Sequence, residues 1–188
     1  MWTPPRRLRT RSVARYPLIE VLEHDVQDVA SGDEFVVVTL DLTDWCVAVA
    51  RTTDGDFVFV EQHRHGVNAS TLEPAGGVVD EGETAEEAAR RELFEETGYR
   101  AAGVTSLGWV HPNPALSGNR THFFFFDGVV REAEPETSSD ERLGVVLFEE
   151  TEVRAAVRDG RITHALSVLA LERCLERLGP LRATEDTR

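Results

Sequence analysis

Short apolar segments alternate with polar turns along most of this chain, and helix-like segments come near its end. Val-rich and aromatic runs bounded by Gly, Asp and Thr are typical of β-strands. A run with one apolar side that ends at Gly179, and a shorter run that ends at Gly160, indicate two helices. The pattern predicts strands over residues 18–22, 34–42, 45–51, 57–62, 107–110, 121–127 and 143–148, and helices over 150–158 and 164–178. Strands before, between and after helices indicate a mixed α/β sandwich.

A further helix has clear signals at both ends. Thr84 is a good N-cap residue, and Glu87 stands three positions later, so the two can form a capping box. Gly98 supplies the left-handed residue that commonly ends a helix. These signals predict a helix over residues 85–97.

The two ends of the chain carry weaker patterns. Residues 1–17 are rich in Arg and lack the apolar stretch of a secretory signal, so we predict a flexible basic tail; a transit peptide has a similar composition. Residues 18–43 hold the first strands, 44–180 form the main domain, and 181–188 are expected to fray.

Charge and cysteine content limit the classes of partner. The formal net charge of −14 argues against a nucleic-acid polymer, because phosphate backbones are bound by basic surfaces. No segment approaches the roughly 20 apolar residues that span a bilayer, so we expect no membrane partner. Cys46 and Cys174 are the only cysteines, and we expect buried free thiols in a reducing, cytoplasmic compartment. The histidines show no metal-ligand spacing and are interpreted as structural or surface residues.

An acidic cluster with fixed spacing carries the candidate chemistry. Glu92 and Glu96 are one helical turn apart and Glu95 lies beside them, so three carboxylates concentrate at one end of the predicted helix. Like charges at this spacing repel, and a divalent cation would remove the repulsion. Hard cations such as Mg²⁺ prefer carboxylate oxygens and usually also bind substrate phosphates. For Glu86 and Glu87 a solvated helix face is the better interpretation.

The spacing around this cluster resembles the Nudix box. The matching positions are Gly77, Glu83, Arg91, Glu92, Leu93, Glu95, Glu96 and Gly98, with Tyr99 where the family usually has an aliphatic residue. The resemblance implies a Nudix-type α/β/α sandwich with a mixed sheet, in addition to the N-terminal strands, and makes 44–180 the Nudix hydrolase domain. The implied cofactor is Mg²⁺, with Mn²⁺ as an alternative. The implied metal ligands are the carbonyl of Gly76 and the catalytic carboxylates Glu92, Glu95 and Glu96, and the residues that stabilise the box are Gly77, Glu83, Arg91 and Gly98.

The resemblance extends beyond the box to the branch that hydrolyses ADP-ribose and nucleotide sugars. The segment from Gln62 to Arg64 matches a Gln-x-Arg segment of that branch, and Pro114 has the spacing from the box that is typical of it. The implied substrate-binding residues are Arg64, Glu73, Pro114 and Arg120, and the implied general base is Glu141. The alternatives are a structural salt bridge for each arginine and a solvated loop carboxylate for Glu141. The N-terminal strands of this branch often pair, so a homodimer is expected.

Three functions remain open on the sequence. The first is metal-dependent hydrolysis of the diphosphate bond of ADP-ribose or a related nucleoside diphosphate sugar, a small-molecule nucleotide substrate. The second is a Nudix hydrolase of dinucleotides, dinucleoside polyphosphates or coenzyme A. The third is a Nudix-fold sensor that binds its ligand without cleaving it. The retained box carboxylates favour an enzyme.

Overall fold

The computed structural model describes residues 2–136 and 143–181, and of Leu143 only the backbone. Two compact units are present. The N-terminal unit comprises Met1–Asp44 and Val110–Arg120, and the main unit comprises Trp45–Trp109 and Thr121–Arg188. Within the described ranges, no helix has the length and apolar character needed to cross a membrane.

A three-stranded antiparallel sheet builds the N-terminal unit. Its strands, in spatial order, are β1 (Arg6–Tyr16), β2 (Ile19–Gln27) and β3 (Glu34–Leu42). The segment of residues 110–120 is attached to the end of this sheet by hydrogen bonds. The Leu40 N–H donates to the Leu116 carbonyl at 2.7 Å, and the Asn119 amide donates to the Thr43 carbonyl at 3.1 Å.

The prediction of a flexible tail over residues 1–17 is wrong, because most of this segment forms β1. The neighbouring strand supplies carboxylates for the arginines of β1. Arg11 contacts Glu23 at 2.7 Å and Asp25 at 2.9 Å, both across the β1–β2 pair. Cross-strand pairs of opposite charge stabilise a sheet. The acidic partners of these arginines cannot be inferred from the basic segment alone.

A mixed sheet forms the centre of the main unit. Its strands are β4 (Trp45–Thr52), β5 (Phe57–Arg64), β6 (Ala69–Glu73), β7 (Ala75–Val78), β8 (Tyr99–Arg100), β9 (Thr105–Val110), β10 (Thr121–Arg131) and β11 (Leu143–Phe148). The spatial order is β11-β5-β4-β10-β8, with β6 beside β5, β7 beside β4 and β9 beside β10. The β4–β10 pair is parallel, whereas β4–β5, β5–β11 and β8–β10 are antiparallel.

Helices cover both faces of this sheet. They are α1 (Ala85–Thr97), α2 (Glu150–Arg158) and α3 (Ala165–Leu178). Leu93 of α1 shares a buried core with Phe124 of β10, while Arg173 of α3 lies 5.3 Å from the ring centre of the adjacent Phe123. Successive side chains of a strand point to opposite faces, so α1 and α3 lie on opposite sides. The predicted α/β sandwich with a mixed sheet is confirmed.

Local signals predicted most elements, and the shortest strands were missed. The strands 34–42 and 143–148 and the helices 85–97 and 150–158 have the predicted bounds, and the remaining predicted elements are present with shifted ends. The strands β6, β7 and β8 were not predicted. They are short, and β6 and β7 flank Pro74, which reads as a turn; their partners β5 and β4 are set by the fold.

Candidate active site

Hydrogen bonds fix α1 at both ends. The Thr84 hydroxyl accepts from the Glu87 N–H at 3.2 Å, and the Glu87 carboxylate accepts from the Thr84 N–H at 2.8 Å, as the capping box requires. At the other end Gly98 has a φ of 74°, and its N–H donates to the Phe94 carbonyl at 2.7 Å. An added Cβ at Gly98 would overlap the Ala133 carbonyl, so both conformation and packing require glycine there.

Arg91 lies at the centre of the acidic cluster. Its Nε and Nη2 donate to the two oxygens of Glu83 at 3.1 and 3.0 Å, and Nη2 also donates to the Val78 carbonyl at 3.0 Å. Its Nη1 donates to Glu92 at 2.8 Å and to Glu95 at 3.1 Å. The hydrogen bonds with Glu83 are the largest cause of a raised pKa of Arg91, and Arg91 in turn lowers the pKa of Glu83. One guanidinium therefore joins the loop before α1 to the second half of the helix.

Two adjacent glycines of β7 bring the carboxylates against the backbone. An added Cβ at Gly77 would overlap the Glu92 carboxylate, and one at Gly76 would overlap the Cys46 carbonyl in β4. The Gly76 N–H donates to Glu96 Oε2 at 2.9 Å, and Glu96 is only 7% exposed. Glu92 and Glu96, one turn apart on α1, thus contact consecutive residues of one strand.

The donor set of this cluster fits a hard divalent cation. Glu92, Glu95 and Glu96 offer carboxylate oxygens at one end of α1, which is the chemistry that Mg²⁺ and Mn²⁺ prefer. As placed here, Glu92 and Glu95 turn toward Arg91, and no three acidic, His or Cys side chains of the described residues converge on one point. Cation binding would therefore need these carboxylates to draw closer together. The cost is small for Glu95, because its side chain is 39% exposed.

A second polar cluster surrounds Glu73 at the end of β6. Arg64 donates to the two Glu73 oxygens from Nε at 3.1 Å and from Nη2 at 3.0 Å, and the Thr71 hydroxyl donates at 2.6 Å. His164, directly before α3, places its Nδ1 2.8 Å from Glu73 Oε2. Burial by itself raises the pKa of Glu73, but hydrogen bonds from His164, Arg64 and Thr71 outweigh burial and hold this pKa well below its usual range. Glu73 is therefore an ionised carboxylate that is 3% exposed.

The structure brings some of the predicted site residues together, and others belong to the N-terminal unit or lie outside the described residues. The box residues lie together around α1 and β7, and Arg64 and Glu73 contact each other. Pro114 and Arg120 belong to the segment of the N-terminal unit, where the Arg120 N–H donates to an Asp44 carboxylate. Glu141, the predicted general base, lies outside the described residues.

Sequence reasoning missed two partners of Glu73. Thr71 lies two positions before Glu73 on β6, and alternation along a strand would have placed both side chains on one face. His164 is far away in sequence, and no spacing rule connects the residue before α3 with the end of β6. This contact depends on the tertiary fold alone.

Known proteins resemble this chain in sequence and in fold. The NUDIX domain family matches residues 42–166. An ADP-ribose pyrophosphatase of Bacillus subtilis is 30% identical over 141 residues, which are 69% of this chain and 74% of that protein. A GDP-mannose pyrophosphatase of Pectobacterium atrosepticum is 31% identical over 108 residues, which are 56% of this chain and 55% of that protein.

A solved structure shares the fold. The crystal structure of ADP compounds hydrolase superposes with a TM-score of 0.82, covers 95% of this chain and 96% of that chain, and is 23% identical in sequence. The NUDIX match covers more than half of the chain and includes every box residue from Gly77 to Gly98. The chain therefore belongs to the Nudix family.

Proposed function

We propose that this chain hydrolyses the diphosphate bond of ADP-ribose or a related nucleoside diphosphate sugar, giving a nucleoside monophosphate and a sugar phosphate. The observation that supports this function most is the intact acidic cluster, in which Glu92 and Glu95 contact Arg91 and Glu96 contacts β7. The relatives include pyrophosphatases of ADP-ribose and of GDP-mannose. A sensor that only binds its ligand would not need these carboxylates.

The proposed reaction uses a divalent cation, for which we propose Mg²⁺, with Mn²⁺ as an alternative. Glu92, Glu95 and Glu96, together with the carbonyl of Gly76, are the groups that would hold it. When bound, the cation supplies positive charge that neutralises the diphosphate oxygens and makes water a stronger acid. Glu141 is the proposed general base for the attacking water.

The protein's own side chains orient the reacting groups. Arg91 holds Glu83 and the preceding loop against α1, so the cluster keeps its place next to β7. Arg64, whose Nε and Nη2 are fixed by Glu73, is proposed to bind a substrate phosphate, because a planar guanidinium matches phosphate oxygens. Pro114 and Arg120 are proposed substrate contacts from the segment 110–120.

The substrate contact predicted for Glu73 requires a rearrangement. Its two oxygens already accept three hydrogen bonds from Arg64 and Thr71, and Oε2 also lies 2.8 Å from His164 Nδ1. A carboxylate has about four lone-pair sites, so a substrate hydroxyl would have to displace one of these donors. We therefore propose that Glu73 serves the substrate through Arg64.

We also propose a cytoplasmic homodimer that forms through the N-terminal unit. β3 exposes the apolar side chains of Phe35 at 44%, Val36 at 54% and Val38 at 48%, which suits a contact with a second copy. The buried free thiols of Cys46 and Cys174 suit the reducing cytoplasm. Light scattering after gel filtration tests the dimer, and a monomer at micromolar concentration would contradict it.

A product assay with Mg²⁺ tests the proposed activity. The substrates are ADP-ribose, ADP-glucose, GDP-mannose, a reduced dinucleotide and a dinucleoside polyphosphate, with products separated by ion-exchange chromatography. We expect AMP and ribose phosphate from ADP-ribose, or a nucleoside monophosphate from several of the sugars. Turnover of the dinucleotide or the polyphosphate alone would replace the proposed substrate class, and tight binding without turnover would leave only a sensor.

Two variants of α1 test whether the acidic cluster carries that activity. Glu96→Gln removes a proposed metal ligand that Gly76 holds in place, and we expect kcat to fall by roughly 100-fold or more. Glu86→Gln is the matched control, since Glu86 lies on the same helix in an exposed pair with Arg90. The control should keep normal turnover. Equal rates for both variants would mean that the acidic cluster does not carry the reaction.

A further inference from the structure

We propose that His164 is a positioning residue that fixes the orientation of the Arg64 guanidinium through the Glu73 carboxylate. This inference rests on the proposed function in one respect, the binding of a substrate phosphate by Arg64. The contact between His164 and Glu73 does not depend on the substrate. It joins the start of α3 to the last residue of β5 through a carboxylate that is 3% exposed.

The hydrogen bonds of Glu73 divide evenly between its two oxygens. Oε1 accepts from Arg64 Nε at 3.1 Å and from Thr71 Oγ1 at 2.6 Å. Oε2 accepts from Arg64 Nη2 at 3.0 Å and lies 2.8 Å from His164 Nδ1. Since about four acceptor sites are all used, the carboxylate plane is fixed, and the Arg64 plane is fixed with it.

The imidazole of His164 must donate in this contact. An ionised carboxylate can only accept, so the Nδ1 of His164 carries the proton. The Ser167 hydroxyl, in the first turn of α3, lies 2.9 Å from the same Nδ1, and Ser167 is 1% exposed. The ring is thus held between the helix and Glu73, and its orientation follows from the packing of α3.

The side chain of His164 contacts α3 through Ser167, but it does not cap the backbone of the helix. His164 is the N-cap residue of α3, and its side chain makes no capping hydrogen bond. Ser, Thr, Asp and Asn are the residues that stabilise a helix from this position. The imidazole instead reaches Glu73, so the residue contributes to the Arg64 cluster at the place where a helix cap would ordinarily stand.

Loss of the imidazole would remove one of the two donors that contact Oε2 of the buried Glu73 carboxylate. Glu73 could then rotate, and Arg64, whose side chain is 35% exposed, would sample other orientations before it meets a phosphate. A contact that Arg64 makes equally in the bound and the transition state affects KM more than kcat. We expect His164→Ala to raise KM by about tenfold, within the range of couplings in one hydrogen-bond network, with kcat nearly unchanged.

Three further variants separate positioning from stability. His164→Asn keeps an N–H donor close to the Nδ1 position, so it should restore most of the KM. Thr163→Ala alters the exposed neighbouring residue and should behave as wild type. In the double variant His164→Ala with Arg64→Ala, KM should equal that of Arg64→Ala alone, because His164 acts through Arg64. A purely structural effect would lower the melting temperature and add to the Arg64 variant.

A measurement without substrate keeps this inference separate from the proposed function. The Nε–H of Arg64 should exchange slowly with solvent in ¹⁵N NMR spectra of the wild type, quickly in His164→Ala, and slowly again in His164→Asn. Unchanged exchange in His164→Ala, or additive KM values in the double variant, would overturn the positioning by His164. A wild type with the slow Nε–H but no turnover of any diphosphate would support the positioning and contradict only the proposed activity.

Discussion

Gly77 is in contact with the Glu92 carboxylate, and the space for this contact exists because glycine has no Cβ. In Gly77→Ala the new methyl group displaces the carboxylate from β7. Because a displacement of about 1 Å can cost a factor of 10² in rate, we expect kcat/KM to fall by about 100-fold with little change in folding. Steady-state kinetics and circular dichroism measure the two effects.

The chain offers a matched control for this substitution. A Cβ at Gly103 would meet no atom within 4 Å, so Gly103→Ala should keep full activity. If Gly77→Ala were also fully active, the placement of Glu92 against β7 would not matter for the reaction.

The two thiols give a second prediction at the residue scale. Burial is the main cause that raises the pKa of Cys46 to about 12, and burial does the same for Cys174. The thiolate is the reactive form, so at pH 8 neither should react with iodoacetamide within an hour in the folded protein. Mass spectrometry should find both labelled once denaturant is added. Rapid labelling of the native protein would show that a thiol is accessible.

The helix α1 was predictable because its signals are local. Thr84, Glu87 and Gly98 satisfy backbone groups within one turn of each end, so the sequence around the helix is enough. β1 was not predictable in the same way, since Arg11 needs Glu23 and Asp25 of the next strand to make its contacts. A prediction from short sequence segments therefore misses elements whose stabilising contacts come from distant parts of the chain.

The capping box of α1 carries a prediction about stability. Thr84→Ala removes the hydroxyl that accepts from the Glu87 N–H, and it also leaves the Glu87 carboxylate with fewer donors. We expect a loss of about 1–2 kcal/mol in the free energy of unfolding, measured with urea. Thr53→Ala, in the exposed turn after β4, is the control and should change stability by less than about 0.5 kcal/mol. Equal stability of the two variants would argue that the box is not a stabilising contact.

On the scale of the whole molecule, the site divides into a part that sequence could predict and a part that it could not. The carboxylates of the box could be predicted from their spacing along one helix, and the structure places Glu92 and Glu96 beside β7. The cluster around Glu73 combines β5, β6 and the start of α3, so only the fold brings Arg64 and His164 to one carboxylate. The resemblance to the family indicated Arg64 and Glu73 as site residues, but it did not predict the ion pair between them.

The stability of the fold in acid depends on two buried titratable groups, His24 of β2 and Glu73 of β6. Burial, and to a lesser extent Arg7, lowers the pKa of His24 below 6.5, and hydrogen bonds lower the pKa of Glu73 below 4.5 despite its burial. In both cases the unfolded chain binds more protons than the folded chain, so stability decreases as the pH falls. The loss should begin below about pH 6.5 through His24, and should steepen below about pH 4.5 through the carboxylates.

Glu73→Gln isolates the carboxylate part of this acid dependence. At pH 7 the variant leaves Arg64 and His164 facing a neutral amide, and we expect a loss of about 2 kcal/mol, as for hydrogen bonds to a charged group, because both partly exposed side chains can turn to water. Below pH 4.5 Glu73 binds a proton in the unfolded wild type but stays ionised in the folded state, so the wild type loses stability and the difference between the two proteins should narrow by about 1.4 kcal/mol for each pH unit. Urea unfolding between pH 7 and pH 3 measures it, with the exposed Glu172→Gln as a control that follows the wild type. A difference that stays constant to pH 3 would mean that Glu73 is not the ionised centre of its cluster, and the orientation of Arg64 would then need another cause.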